Sequence, residues 1–354
     1  MFYYRDSAGE VEPGFKPVPG VEIDVDGDLL VDATTGTDGL FVLADQGGSF
    51  TVTPLGRFGD SQGEMIGAVT PLDATFVSHH RVGIIELSPN QQIAADVTGN
   101  GSISSLDAVY VAKYSIQLIN RLPVAEATGS VWLYFRCDSY LGTDDHDCTT
   151  PIYEHDPLLA PESDDFYALA YGDVNGNWAP AGRAQSFPDG SAEADAAWAD
   201  YWGVIALAGP RRPYAPIGST RSGPAPRTSF GTRDSDWEPV PNGRLRRIVI
   251  SVQEGQSIEA LDLTLRYDPR TVEVRGLEVT DLTRDFALTT HDTGSVFRGS
   301  AWTVFPLGES GDVLVLTILE RPTATETKPL RLEILADEQA FSLEIRGRAP
   351  RAAP

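Results

Sequence analysis

Cysteine, basic residues and long apolar runs are scarce in this 354-residue chain, and each shortage closes off a class of function. Two cysteines, Cys137 and Cys148, with one histidine between them and no CxxC spacing, make a poor zinc site. Only 27 Lys and Arg stand against 51 Asp and Glu, a net charge of -24 that argues against nucleic acid and against an anionic membrane surface. No run of about 20 apolar residues offers a membrane span. The chain holds no GxSxG, no HExxH, no Gly-rich phosphate loop and no supported Cys–His pair. Carboxylates are too abundant for any two to stand out as an acid/base pair, so the chain is expected not to be an enzyme. His79-His80 beside Arg81 reads as the C-terminal end of a helix rather than as a ligand pair.

What is present is acid, unevenly placed. Residues 1–178 hold 27 acidic against 7 basic residues, while residues 179–354 are nearly balanced at 24 against 20. Such self-repulsion destabilises a compact state unless cations relieve it. The acidic half contains DVTGNGSISSLD, from Asp96 to Asp107, with the shape of an EF-hand-type calcium loop. Asp96, Thr98 and Asn100 place side-chain oxygens at positions 1, 3 and 5, Gly101 stands at the sharp turn, Ser102 gives its backbone carbonyl, and Asp107 is the twelfth-position carboxylate. Ser104 at the ninth position would hold a ligand water. The plainer alternative is an Asn/Gly turn that caps a helix at Ser104 or Ser105.

The loop is followed by LDAVYVAKYSIQLINRLP, predicted helical with an apolar stripe of Leu106, Val109, Val111, Tyr114, Leu118 and Ile119, and closed by Pro123. Loop and helix together resemble a dockerin repeat of bacterial extracellular assemblies, with Asp at the twelfth position and Asp-Ala opening the helix. That resemblance implies a second repeat and Ca2+ as the bound ion. An earlier segment matches the end of the pattern only: Gly67, Val69, Leu72, Asp73 and Ala74 fall in register with Gly101, Ile103, Leu106, Asp107 and Ala108, but Gln62, Glu64 and Ile66 occupy positions 1, 3 and 5. GDVNGNW offers the missing front half, with Asp173, Asn175 and Asn177 at positions 1, 3 and 5. A split site is therefore expected, in which these three lend their oxygens to Asp73.

Residues 1–58 alternate as short strands, FYYR, VEIDVDG, LLVDATTG, GLFVLAD and SFTVTPL, and resemble the prealbumin-like modules of bacterial surface proteins. Asp24, Asp26 and Asp28 read as a hairpin turn rather than a metal site, because Leu29 stands where a loop glycine should be. Residues 59–178 form the dockerin-like segment. Within it, Cys137 and Cys148 are expected to pair in an oxidising compartment, closing a loop that contributes roughly 3 kcal/mol. Residues 179–243, rich in Pro, Gly, Ser and Arg, read as a linker, interrupted by the apolar ADAAWADYWGVIALAG. Residues 244–347 read as regularly spaced strands, and ALDLTLRYDPRTVEVRGLEV with GSAWTVFPLGESGDVLVLTILE resembles a cohesin, the jelly-roll partner of dockerins. Residues 348–354 are a tail.

The fold class expected is thus mainly β and multidomain: a prealbumin-like β-sandwich, a small α dockerin-like calcium module and a C-terminal cohesin-like jelly-roll sandwich. The resemblance implies a plug and a socket in one polypeptide. Bound in trans, they give a heterologous contact that propagates into a head-to-tail filament; bound in cis, a compact monomer. The leading expectation is an extracellular or cell-surface structural protein that self-assembles with calcium, the abrupt FYYR strand adding β-augmentation. Its partner is another copy of itself or another cohesin- or dockerin-bearing surface protein. The alternative is a scaffold that anchors a separate partner or polysaccharide, with the six Trp as sugar-stacking faces. The start, MFYYRDSAG, shows neither a charged n-region nor an apolar h-region, so a mature or truncated piece of a secreted protein is expected.

Overall fold

The computed structural model describes residues 1–4, 16–44, 46–57, 65, 67–136, 152–156, 164–179, 229–234, 238–253, 258–307, 309–321, 330–337 and 339–345. The chain divides into two units that are each discontinuous in sequence. The first takes Met1–Val77, Ile85–Ile103 and Tyr110–Ala197; the second takes Ser78–Ile84, Ser104–Val109 and Trp198–Pro354.

In the acidic half the elements run β1 (Phe2–Tyr3), β2 (Val21–Asp24), β3 (Ala33–Thr34), β4 (Phe50–Arg57), α1 (Pro71–Val82), α2 (Pro89–Ala95), α3 (Ser105–Ser115), α4 (Pro123–Thr128), β5 (Trp132–Arg136), β6 (Tyr153–His155) and β7 (Phe166–Ala170). The first unit holds a three-stranded sheet, β1-β7-β5, and a four-stranded sheet, β3-β2-β4-β6. Strands from residues 132–170 thus complete the sheets that the first 58 residues begin. Two-residue strands such as β1 and β3 bury too little surface to hold a sheet without such partners. β1 pairs in parallel with β7, and β7 leads directly into Asp173.

Several local expectations are corrected. Phe41 to Ala44, within the expected GLFVLAD strand, lie outside any strand. The β1 strand is no open edge, because the Tyr3 N–H donates to the Lys16 carbonyl at 2.7 Å and Phe2 bridges Pro17. The helix after the calcium-type loop ends at Ser115 rather than at Pro123. It stops because Gln117 turns into the left-handed region at φ 60°, and the Leu118 N–H closes back on the Lys113 carbonyl at 2.9 Å, a Schellman-type end. Pro123 then opens α4, where its missing N–H costs nothing. α1 ends at Gly83, φ 85°, with the Ile84 N–H on the His79 carbonyl, which bears out the reading of His79-His80 as a helix end. α2 is not among the elements expected from the sequence, although Ser88 and Gln91 form a capping box at its start.

The second unit is built on β8 (Ser229–Asp234), β9 (Glu238–Val240), β10 (Gly243–Gln253), β11 (Ile258–Arg266), β12 (Val272–Val279), β13 (Ala287–Asp292), β14 (Val296–Leu307), β15 (Gly311–Glu320), β16 (Leu330–Ala336) and β17 (Gln339–Ile345). One sheet has the order β12-β15-β10-β8, with β9 on β10; the other has the order β13-β14-β11-β16-β17. β8 and β9 come from the stretch expected to be linker. Alternate residues Ile248, Ile250, Leu263, Leu265, Leu316, Ile318, Leu332 and Ile334 make the apolar core, each buried side chain contributing roughly 1.5–3 kcal/mol. Arg246 is buried at the end of this core and reaches Glu320 Oε1 at 3.0 Å. The YDP turn forms as expected, with Asp268 Oδ1 accepting from the Arg270 N–H and Tyr267 Oη donating to Asp292. The ends of α1 and α3 that fall in Ser78–Ile84 and Ser104–Val109 belong to this unit.

Candidate calcium loops and interaction face

In the loop that starts at Asp96, one carboxylate organises the backbone. Asp96 Oδ1 accepts from the N–H of Gly99 at 2.9 Å and of Asn100 at 3.1 Å, and Oδ2 accepts from Gly101 N–H at 2.8 Å. Thr98 Oγ1 donates to Asp96 Oδ1 at 3.2 Å, and Asn100 Oδ1 accepts from Ser102 N–H at 2.8 Å. Gly99 and Gly101 both take positive φ, 73° and 83°, which lets the chain curl. At the far end, buried Asp107 accepts through Oδ2 from the N–H of Ser104 at 2.9 Å and its hydroxyl at 3.0 Å, opening α3. The turn and helix cap expected as the plainer alternative are thus both formed in this segment.

Residues 173–178 repeat part of the front half of that pattern, the bonds of the position-1 carboxylate to the N–H groups four and five residues on. Asp173 Oδ1 accepts from Asn177 N–H, four residues on, at 3.0 Å, and Oδ2 from Trp178 N–H, five residues on, at 2.9 Å. Asn175 Oδ1 accepts from Asn177 N–H at 2.9 Å. Residues 70–73 repeat the rear half: Asp73 Oδ2 accepts from Thr70 N–H at 2.8 Å and Thr70 Oγ1 at 2.7 Å, as Asp107 does from Ser104. Front and rear meet, because Asn175 N–H donates to Asp73 Oδ1 at 2.8 Å. The two fragments expected to share one site are therefore adjacent, and Asp73, Asp173 and Asn175 are fully or almost fully buried.

This buried place suits a hard cation. Every candidate ligand is an oxygen, and the side-chain oxygen of Asn177 is buried with no hydrogen-bond partner. Burial first, and then repulsion from Asp173, push the Asp73 carboxyl up from 3.8 to about 8. Burial likewise raises Asp173, against the opposing pull of Tyr3, Trp178 and Lys16. Two carboxylates this close in a dry setting are relieved by a divalent ion that ligates both.

Asp24, Asp26 and Asp28 bring their carboxylates within 4.8 Å of one another. Asp24 accepts from the N–H groups of Asp26, Gly27 and Leu29, so the turn reading accounts for the cluster. Trp132, Trp178 and Trp302 are 4%, 1% and 6% exposed, so none of these three offers a face to sugar. Trp198, Trp202 and Trp237, the apolar stretch ADAAWADYWGVIALAG, and the Cys137–Cys148 pairing lie outside the described residues.

In the second unit, the outward face of β11 carries Asp262, only 4% exposed because residues 78–84 and 104–109 cover it. Asp262 Oδ2 accepts from Arg81 Nε at 2.9 Å and from Ser105 N–H at 3.2 Å, and Oδ1 accepts from the Ser105 hydroxyl. Ser105 and Ser300 hydroxyls lie 2.5 Å apart, and His291 Nδ1 is 3.2 Å from the Val82 carbonyl oxygen. Sequence reasoning missed all of these. Asp262 carried one faint signal, an acid between core leucines 261 and 263, as any solvent-facing strand position would.

Solved cohesins are among the similar structures. The sixth cohesin of scaffoldin B from Acetivibrio cellulolyticus, in complex with a Cel5 dockerin, is 13% identical; the match covers 30% of this chain and 80% of that one, with a TM-score of 0.24. A cohesin module from a Clostridium perfringens family 33 glycoside hydrolase is 10% identical, over 34% of this chain and 97% of that one, with a TM-score of 0.26. A non-cellulosomal cohesin from Archaeoglobus fulgidus is 15% identical, over 30% and 84%, with a TM-score of 0.23. No curated protein sequence matches the chain. No helix among the described residues is long and apolar enough to cross a membrane. Residues 67–114 match the dockerin type I domain family.

Proposed function

We propose that this is a non-catalytic, calcium-binding structural protein of the cell exterior that assembles head to tail by giving its dockerin-like helices to the cohesin-like sandwich of the next copy. The observation that carries the reading is buried Asp262, bonded to Arg81 and Ser105. One polypeptide supplies both the helical segments and the strand face that accepts them. A contact that a chain makes with itself is also one that it can make with a copy, at little cost beyond opening. Which arrangement prevails depends on concentration.

Calcium enters through two loops. Asp96, Thr98, Asn100, Ser102 and Asp107 form the first ligand set, and Asp73, Asp173, Asn175 and Asn177 form the split second. The first ends at Asp107, two residues after Ser105, so ion binding there fixes the start of α3 and the groups aimed at Asp262. Residues 59–178 serve as plug, 244–347 as socket, and 1–58 with its partner strands as spacer.

Complementation between full-length variants tests the exchange. Asp262→Arg disables the socket, and Arg81→Glu with Ser105→Arg disables the plug. Each variant alone stays monomeric in calcium, and an equimolar mixture forms a dimer of defined mass. A mixture that remains monomeric, with both proteins folded, rejects head-to-tail assembly.

A further inference from the structure

We infer that Tyr3 and Lys16 are positioning residues of the split cation site, which makes the N-terminal strand a working part of a site whose other residues lie far along the chain. The inference rests on the reading of Asp73, Asp173, Asn175 and Asn177 as cation ligands. Side chains at positions 1, 3 and 5 of such a loop aim inward, so the carbonyls of the intervening residues face outward and need partners there. In the loop from Asp96, Gly99, Asn100, Gly101 and Ser102 are exposed, so that need is in general met from solvent.

Residues 173–178 are mostly buried, and side chains replace the water. The Val174 carbonyl accepts from Gln91 Nε2 at 2.9 Å and from Tyr4 Oη at 3.2 Å. The Gly176 carbonyl accepts from Lys16 Nζ at 3.1 Å, and Lys16 also donates to the Trp178 carbonyl. Tyr4 Oη donates to the Asp173 carbonyl at 2.8 Å, and Tyr3 Oη to Asp173 Oδ2 at 2.6 Å. Tyr3 and Lys16 thus grip the fragment from both sides: one fixes the rotamer of the position-1 carboxylate, the other turns the even-numbered carbonyls away from the ion. The grip is local, since Tyr3 N–H donates to the Lys16 carbonyl at 2.7 Å and the Lys16 ammonium lies 5.1 Å from the Tyr3 ring centre. Apart from Asp73 and Gln91, every residue of this arrangement lies outside 67–114.

Two titrations of the full-length chain test this. Calorimetry with calcium counts the sites, and terbium luminescence excited through indole reports the split one, because Trp178 borders it and packs 5.0 Å from the Tyr3 ring. Tyr3→Phe and Lys16→Met, both near in size to the native residue, are each expected to weaken the split site about tenfold while leaving the Asp96 loop unchanged. Equal weakening of both sites would mean a general loosening of the fold and overturns the positioning role, as does unchanged affinity in both variants. A wild-type chain that gives one calcium and no sensitised terbium emission removes the split site itself, and this inference with it.

Discussion

The Asn175 N–H donates to Asp73 Oδ1 at 2.8 Å across 102 residues of sequence, and so joins the front half of one calcium-type loop to the rear half of another. The joint places Asp73 and Asp173 in one buried spot, where their mutual repulsion makes the apo state costly. Asp73→Asn is expected to lose one calcium per chain. At calcium a hundredfold above the dissociation constant, wild type gains about 2.7 kcal/mol from each site. The variant forfeits that gain at this site, so its melting temperature falls further in calcium than in chelator. An equal fall in both conditions sinks the cation reading.

The first loop makes a separable prediction. Asp96→Ala removes the acceptor for three backbone N–H groups as well as a ligand, and is expected to lower the calcium count by one and the melting temperature in calcium by several degrees. Calorimetric titration checks it. Two calcium ions still bound in the variant would place the ion elsewhere.

Asp73 also predicts a pH dependence with a definite sign. Its folded carboxyl holds a proton up to about 8, against 3.8 when unfolded. At this carboxyl the folded state therefore binds more protons, and the contribution of Asp73 to stability is fully present below about pH 4 and lost as pH rises towards 8. Melting in chelator should show that decline, and calcium should flatten it by binding the deprotonated pair. A melting temperature that rises with pH in chelator contradicts the buried carboxylate pair.

Arg246 and Glu320 test the sandwich. Arg246 is 2% exposed, and Glu320→Ala leaves it charged and buried without that partner. The change is expected to cost about 1–3 kcal/mol of stability in the second unit, measured by denaturant unfolding. Arg246→Met with Glu320→Leu should recover most of it. A loss below about 1 kcal/mol in the single variant would mean that the pair is solvated.

The sequence was most legible where pattern and chemistry coincide. Alternating apolar residues in 245–253, 261–265 and 330–336 marked strands, and Asp96 to Asp107 marked a loop, because both signals are local. The split site was half legible: Asp173, Asn175 and Asn177 announced a front without a rear, and Asp73 a rear without a front. Tyr3, Lys16 and Asp262 gave no sign, since a tyrosine, a lysine or a strand acid acquires its role only from what the fold brings against it. The helix end at Ser115 was hidden by an apolar stripe that continues past it, and Gln117 took the left-handed position usually given to glycine.

Light scattering on the wild-type chain, at rising protein concentration in millimolar calcium and again after chelation, bears directly on plug and socket. We expect mass to grow with concentration in calcium, fall to that of one chain in chelator, and stay at one chain for Asp262→Arg throughout. Growth that ignores chelation, or that Asp262→Arg leaves intact, would contradict assembly through this face.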